Sequence, residues 1–182
     1  KIWEDMIPNW VSTKMRIPEI IAKELNYNGV IDFVSHHISH AASAFYPSKF
    51  KEAAIVIVDG VGEWTTTSIS IGRGNKIKQL KKLDYPNSIG LLYSAFTSYC
   101  GFKVNRGEYK LMGLAPYGKP EYVDIIKDNI VKIRNDGSIN LNMDYFGFME
   151  KNIMTNDTFH EIFGGPPRAE ESAITQKEMN LA

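Results

Sequence analysis

The stretch Ala53-Ala54-Ile55-Val56-Ile57-Val58-Asp59-Gly60-Val61-Gly62-Glu63 organises this chain. Its first six residues are apolar without a break and rich in Val and Ile, the pattern of a central strand covered on both faces. Asp59 closes the run, where a buried strand would deliver a carboxylate to the edge of a sheet. Gly60 and Gly62 follow, and small residues there let backbone N–H groups approach phosphate oxygens, with Thr65-Thr66-Thr67 adding hydroxyls. A Gly-x-Gly turn is equally ordinary between two antiparallel strands, and the pattern alone leaves both readings open.

Upstream lies Ser35-His36-His37-Ile38-Ser39-His40, which holds three of the four histidines within five positions. Val30 to Val34 reads as a short apolar strand and Ser35 as the N-cap of a helix. On that helix Ile38, Ala41, Ala42 and Phe45 recur at i, i+3, i+4 and i+7 and form the packing stripe. His36 and His40 share a face roughly opposite it, with His37 between the two directions. Ile17 to Leu25 carries a further helical pattern through Ile17, Ile20, Ile21 and Leu25.

Downstream, Trp64 to Ile71 and Lys76 to Leu83 alternate around the turn Gly72-Arg73-Gly74-Asn75 and predict a hairpin. Ile89 to Tyr99 reads as a long apolar helix ending at Gly101. Glu121 to Ile130 predicts a helix, Val131 to Leu141 a second hairpin around Asn135-Asp136-Gly137, and Asn156 to Phe163 a last short helix. The expected class is α/β. One domain core spans about 28–142, with a helical and loop extension over about 143–182.

Two imidazoles four apart on a helix can bind one ion, and a strand-end carboxylate completes a set that suits iron or zinc. An HxxxH pair on a solvated helix face would look the same. The pair is not a zincin site, because His37 follows the first histidine where that motif requires glutamate. Lys103, Arg106 and Lys110 would suit a phosphate, or a solvated loop. Gly72-Arg73-Gly74 opens no helix, so a dinucleotide fingerprint fails. Cys100 ends an apolar helix and reads as a buried structural thiol.

The chain has 182 residues, 43% of them apolar, and a formal net charge of zero. That balance argues against a nucleic-acid binder driven by bulk charge. A single cysteine excludes an internal disulfide framework and any multi-cysteine zinc site, and points to a cytoplasmic protein. No stretch has the length of a membrane span, so no membrane partner is expected. The start at Lys1 and the stop within a helix-like run suggest a fragment.

Taken in order, Ser35 to Phe45, Val58-Asp59-Gly60-Val61-Gly62-Glu63, Gly107-Glu108-Tyr109-Lys110-Leu111-Met112-Gly113-Leu114-Ala115-Pro116-Tyr117-Gly118 and Phe163-Gly164-Gly165-Pro166-Pro167-Arg168 closely resemble the O-carbamoyltransferases of nodulation and antibiotic biosynthesis. The resemblance implies part of an N-terminal domain of the actin-like ATPase (ribonuclease H-like) superfamily, a mixed sheet with flanking helices, related to the tRNA threonylcarbamoyl transferases. It implies that carbamoyl phosphate and ATP give carbamoyl-adenylate in a C-terminal domain absent from this sequence. The carbamoyl group then passes to a hydroxyl of a sugar or natural product with a bound iron. His36, His40 and Asp59 match metal ligands, for Fe(II) with zinc as the alternative, and Gly60, Val61, Gly62 and Glu63 match a segment lying against the nucleotide.

His37 is the candidate base for the acceptor hydroxyl, or else a residue supporting its neighbours. A further aspartate ligand, a first phosphate loop and a later glycine-rich segment expected of the family are missing from the 182 residues, so the fragment is expected to be inactive alone. The alternatives are a threonylcarbamoyl transferase-like protein and a non-catalytic nucleotide- or metal-binding module.

Overall fold

A computed structural model describes residues 2–149 and 153–182. The elements run α1 (Ile2–Ser12), α2 (Ile17–Glu24), α3 (His36–Phe45), β1 (Glu52–Gly62), β2 (Thr65–Arg73), β3 (Lys76–Asp84), α4 (Ile89–Tyr99) and α5 (Glu108–Leu114). A helical turn α6 (Val123–Ile125) continues as a π-type turn to Ile130, followed by β4 (Val131–Ile133), β5 (Ile139–Leu141), α7 (Asp157–Ile162) and α8 (Gln176–Leu181). The protein is mixed α/β. Where a mixed sheet was expected, the described strands pair only antiparallel, in a sheet ordered β1-β2-β3 and a separate β4-β5 ribbon.

The β1–β2 register sets the placement of the site. Ala53, Ile55 and Ile57 stand opposite Gly72, Ser70 and Ser68, so these six side-chain positions share one face. Against that face pack Ala41 and Phe45 of α3, both buried, together with Ile55. Gly72 is needed there, because a Cβ on it would stand 2.7 Å from the Phe45 ring. The face is unusually polar at Ser68 and Ser70, both 1% exposed, and one of them receives a histidine as described below.

A larger core forms where α4 meets the C-terminal third. Phe96 and Tyr99 of α4 pack against Phe159 and Phe163, with ring centroids 5.2–5.9 Å apart. Ile130, Leu141, Phe146 and Leu181 join the same cluster. Residues beyond 143 therefore help build this core rather than trail from it. Arg168 staples the two parts of the chain together: its Nε donates to Cys100 O at 2.7 Å and its backbone N–H to Tyr99 O at 3.0 Å.

Two sequence expectations fail. Val30 to Val34 forms no strand; Val30, Phe33 and Val34 are 60–82% exposed, and the segment joins no described sheet. An apolar run needs a neighbouring strand with free backbone groups, and none adjoins it among the described residues. Likewise β1 is an edge strand, not a central one, and its second face is open: Val56 and Val58 are 63% and 51% exposed. The continuous Val/Ile run records a strand suited to cover on both faces, and the described residues supply cover on one. The hairpins at 72–75 and 135–137 and the helices over 17–24, 36–45 and 89–99 lie where the periodicity put them. The Glu121–Ile130 segment is helical as a short α-turn and the π-type turn.

Candidate metal centre

Helix α3 and strand β1 converge at the end of the sheet. Ser35 occupies the N-cap position of α3, but its side chain makes no capping hydrogen bond. The buried face of the helix is His37, Ala41 and Phe45 at i, i+4, i+8, a strip rotated by one residue from the predicted stripe, while Ile38 and Ala42 are half-buried. This rotation turns His36 and His40 toward the turn end of the β1–β2 hairpin, with side chains 42% and 53% exposed.

There the structure brings the three predicted ligands together. His36 Nε2 lies 2.7 Å from Asp59 Oδ2 and 2.9 Å from His40 Nε2, and His40 Nε2 lies 3.7 Å from Asp59 Oδ2. The three donor atoms thus form a small triangle. For metal–ligand bonds of about 2.1 Å, neighbouring donors stand about 3.0 Å apart in octahedral geometry and about 3.4 Å apart in tetrahedral geometry. The triangle brackets both values, so this donor set fits one divalent cation and leaves its remaining positions open. The second carboxylate oxygen is fixed elsewhere, since the Gly60 N–H donates to Asp59 Oδ1 at 2.7 Å.

Three residues hold this geometry, and two of them, Ser88 and Gly90, were not singled out by the sequence patterns. Gly62 is buried against the triad: a Cβ there would stand 2.5 Å from His36 Cδ2 and 3.0 Å from Asp59 Oδ2. Ser88, fully buried as the N-cap of α4, donates to Gly60 O at 2.7 Å and Asp59 O at 3.0 Å, and accepts from the Leu91 N–H at 3.0 Å. Gly90 lets the first turn of α4 touch that backbone, because a Cβ on it would meet Asp59 O at 2.6 Å. A Ser before an apolar helix is a readable N-cap; its reach to Asp59 depends on tertiary packing.

His37 is buried, 3% exposed, with Nδ1 2.7 Å from Ser68 Oγ. Burial pushes its pKa down and so favours the neutral ring, opposed by Asp59 and assisted by His36. Its Nε2 is buried without a hydrogen-bond partner among the described residues. Gly60 to Glu63 form the end of the β1–β2 hairpin, with Glu63 in the left-handed region at φ +64°.

Lys103, Arg106 and Lys110 are exposed and surround a loop pinned by Glu108, which accepts from the Asn105 and Gly107 N–H groups and from Ser94. Cys100 is fully buried, and burial pushes its thiol up to about 12. His160 bonds Thr155 at 3.0 Å and stacks on Tyr99, away from the triad's three donors.

Residues 5–182 match the family model described as carbamoyltransferase N-terminus. The chain belongs to that family. This carbamoyltransferase N-terminus is 50% identical over 181 residues to the uncharacterized protein sll1178 of Synechocystis, covering 95% of the chain and 29% of that protein. It is 37% identical over 117 residues to nodulation protein NolNO of Sinorhizobium fredii, covering 64% of the chain and 17% of NolNO. With nodulation protein NolO of Bradyrhizobium diazoefficiens it shares 33% identity over 114 residues, 63% of the chain and 21% of NolO. The chain therefore spans less than a third of the length of each of these relatives. No described helix is long and apolar enough to cross a membrane.

Proposed function

We propose that this chain is the metal-holding part of an O-carbamoyltransferase, which moves a carbamoyl group from carbamoyl-adenylate to a hydroxyl of a sugar or natural product. The observation that carries the reading is the convergence of His36, His40 and Asp59 in a chain that matches the family model over residues 5–182. Under this reading the domain is part of an actin-like unit, and the antiparallel β1-β2-β3 sheet with α3 on one face supports that assignment.

His36 Nε2, His40 Nε2 and Asp59 Oδ2 would hold Fe(II), with zinc the alternative for the same donor set. When bound, such a cation supplies Lewis-acid polarisation of the carbamoyl carbonyl and favours the oxyanion formed on attack. The chain's own contribution is positional. Asp59 is oriented by the Gly60 N–H and by Ser88, and the rings of the histidines are set by Gly62 and by the burial of their helix, through His37 on Ser68 and Phe45 on Ile55 and Gly72. The backbone at Gly60, Val61, Gly62 and Glu63 is the proposed contact for the nucleotide of the donor. His37 sits buried on Ser68 without a path to an acceptor hydroxyl, so within this proposal it anchors the helix that carries its two neighbours.

The relatives are several times longer than this chain, and we assign to the remainder of such a protein the formation of carbamoyl-adenylate from carbamoyl phosphate and ATP. The isolated 182-residue chain is then expected to bind metal without transferring a carbamoyl group. The test is to express the relative-length protein, measure its iron and zinc, and assay it with carbamoyl phosphate, ATP and candidate hydroxyl acceptors. Stoichiometric metal lost in the His36→Ala/His40→Ala variant, together with lost transfer, is the expected result. Unchanged turnover in that variant would overturn the ligand assignment, and carbamoyl transfer by the chain alone would overturn the division of labour.

A further inference from the structure

Trp64 stands at the tip of the β1–β2 hairpin with 61% of its surface exposed. It is two residues beyond Gly62, so its Cα lies at most about 7 Å from the residue that touches the His36 ring. The indole is not loose. Its backbone carbonyl accepts from the Tyr85 N–H at 2.9 Å, and its ring leans on Tyr85 with centroids 5.4 Å apart. Tyr85 is in turn backed by Phe148 at 6.2 Å. One side of the indole is buttressed and much of its surface faces water, on the turn that follows Asp59 and Gly62.

The charges around it narrow the ligand. Glu63 precedes Trp64, is exposed, and is held at φ +64°. Asp59 lies at the root of the same turn. Asp84, opposite Thr65, accepts from the Thr65 hydroxyl at 3.0 Å and pairs with Lys82. The exposed Glu63 carboxylate next to the indole disfavours a phosphate there and accepts hydrogen bonds from hydroxyl groups. An aromatic face beside hydrogen-bond acceptors is the chemistry that recognises a neutral polyhydroxylated ring, whose C–H face lies on the aromatic quadrupole while its hydroxyls bond the carboxylates.

We propose that Trp64 is a specificity-determining residue that stacks against a saccharide ring of the acceptor, with Glu63 accepting from its hydroxyls. The inference rests on the carbamoyl-transfer reading for the word acceptor, and stands or falls separately as a binding site. It puts the acceptor at the tip of the hairpin, against the side chains of Trp64 and Glu63, and leaves the backbone of Gly60 to Glu63 to the donor, so the two reactants adjoin on one turn.

The chain has three tryptophans, so the Trp3→Phe/Trp10→Phe variant isolates the Trp64 signal. This variant is titrated with the methyl glycosides of glucose, rhamnose and N-acetylglucosamine, with ATP as the anionic comparison. At least one glycoside is expected to shift Trp64 emission saturably, and more strongly than ATP. By saturation-transfer NMR on the otherwise unaltered chain, Trp64→Ala weakens that glycoside by about tenfold or more, and Trp64→Phe restores most of it.

A thermal melt of each variant checks that the fold is intact. No shift with any glycoside, a stronger shift with ATP, or equal glycoside binding by folded Trp64→Ala overturns the proposal. Glycoside binding in a relative-length protein without transferase activity would sink the carbamoyl reading and leave the saccharide platform standing. Transfer with an acceptor KM unmoved by Trp64→Ala would do the reverse.

Discussion

Gly62 touches His36: a Cβ at position 62 would stand 2.5 Å from His36 Cδ2 and 2.9 Å from His37 Cδ2. The two rings answer such an intrusion differently. His37 is buried and tied to Ser68, whereas His36 has open space beside it. Gly62→Ala therefore expels His36 and opens the donor triangle. We expect metal affinity to fall by about 10- to 100-fold, the range typical of lost positioning around a metal. Stability should fall by about 1–3 kcal/mol from overpacking. Competitive titration with a fluorescent zinc chelator measures the first and urea unfolding the second. An unchanged affinity would show that His36 is not a ligand.

Ser88 couples the start of α4 to the carboxylate strand. Its hydroxyl serves Gly60 O and Asp59 O as donor and the Leu91 N–H as acceptor, in a fully buried position. Ser88→Ala removes the cap and leaves these groups short of a partner, which costs about 1–2 kcal/mol. Because Asp59 is held through its own backbone here, metal affinity should weaken as well, and by less than in Gly62→Ala. Denaturant melts with and without added zinc separate the two effects.

How far the sequence carries a reader differs between these residues. The pair His36 and His40 and the partner Asp59 were legible because helix period and strand end are local properties, and the structure joins them. The direction of the helix was legible only to within one residue. His37 takes a packing position because Ser68 and Ser70 make the facing sheet surface polar, and that pairing across 31 residues has no local signature. Val30 to Val34 misled because periodicity reports suitability for a strand, not the presence of a neighbour to pair with. Glu63 shows the same limit at a turn, since a residue other than glycine holds the left-handed position.

Cys100 is the only cysteine, fully buried between α4 and α8, with burial and the neighbouring Glu178 pushing its thiol up to about 12 despite Arg168 and Lys177. The thiolate is the reactive form, so the native protein should resist Ellman's reagent at pH 8 while the urea-unfolded protein reacts within minutes. Stopped-flow labelling across a denaturant series checks this. Rapid labelling of the folded protein would show that α8 does not cover the thiol.

Glu178 supplies the pH dependence of that same contact. Burial pushes its carboxyl up, but hydrogen bonds from the Thr175 side chain and backbone N–H, from its own amide, and the charge of Lys177 outweigh this and hold it below the ordinary value of 4.5. The Thr175–Glu178 pair forms a capping box that closes α8 onto the core. As pH falls, the unfolded chain takes up this proton before the folded one does. The contribution is therefore complete above the ordinary carboxylate range and is lost as pH falls through the lowered native value. Urea midpoints of the native chain should drop between pH 6 and pH 3 more steeply than those of Glu178→Gln. The variant should be less stable at pH 7 and converge toward the native chain at the acid end. Parallel pH profiles for the two proteins would show that the capping box does not carry the acid sensitivity of α8.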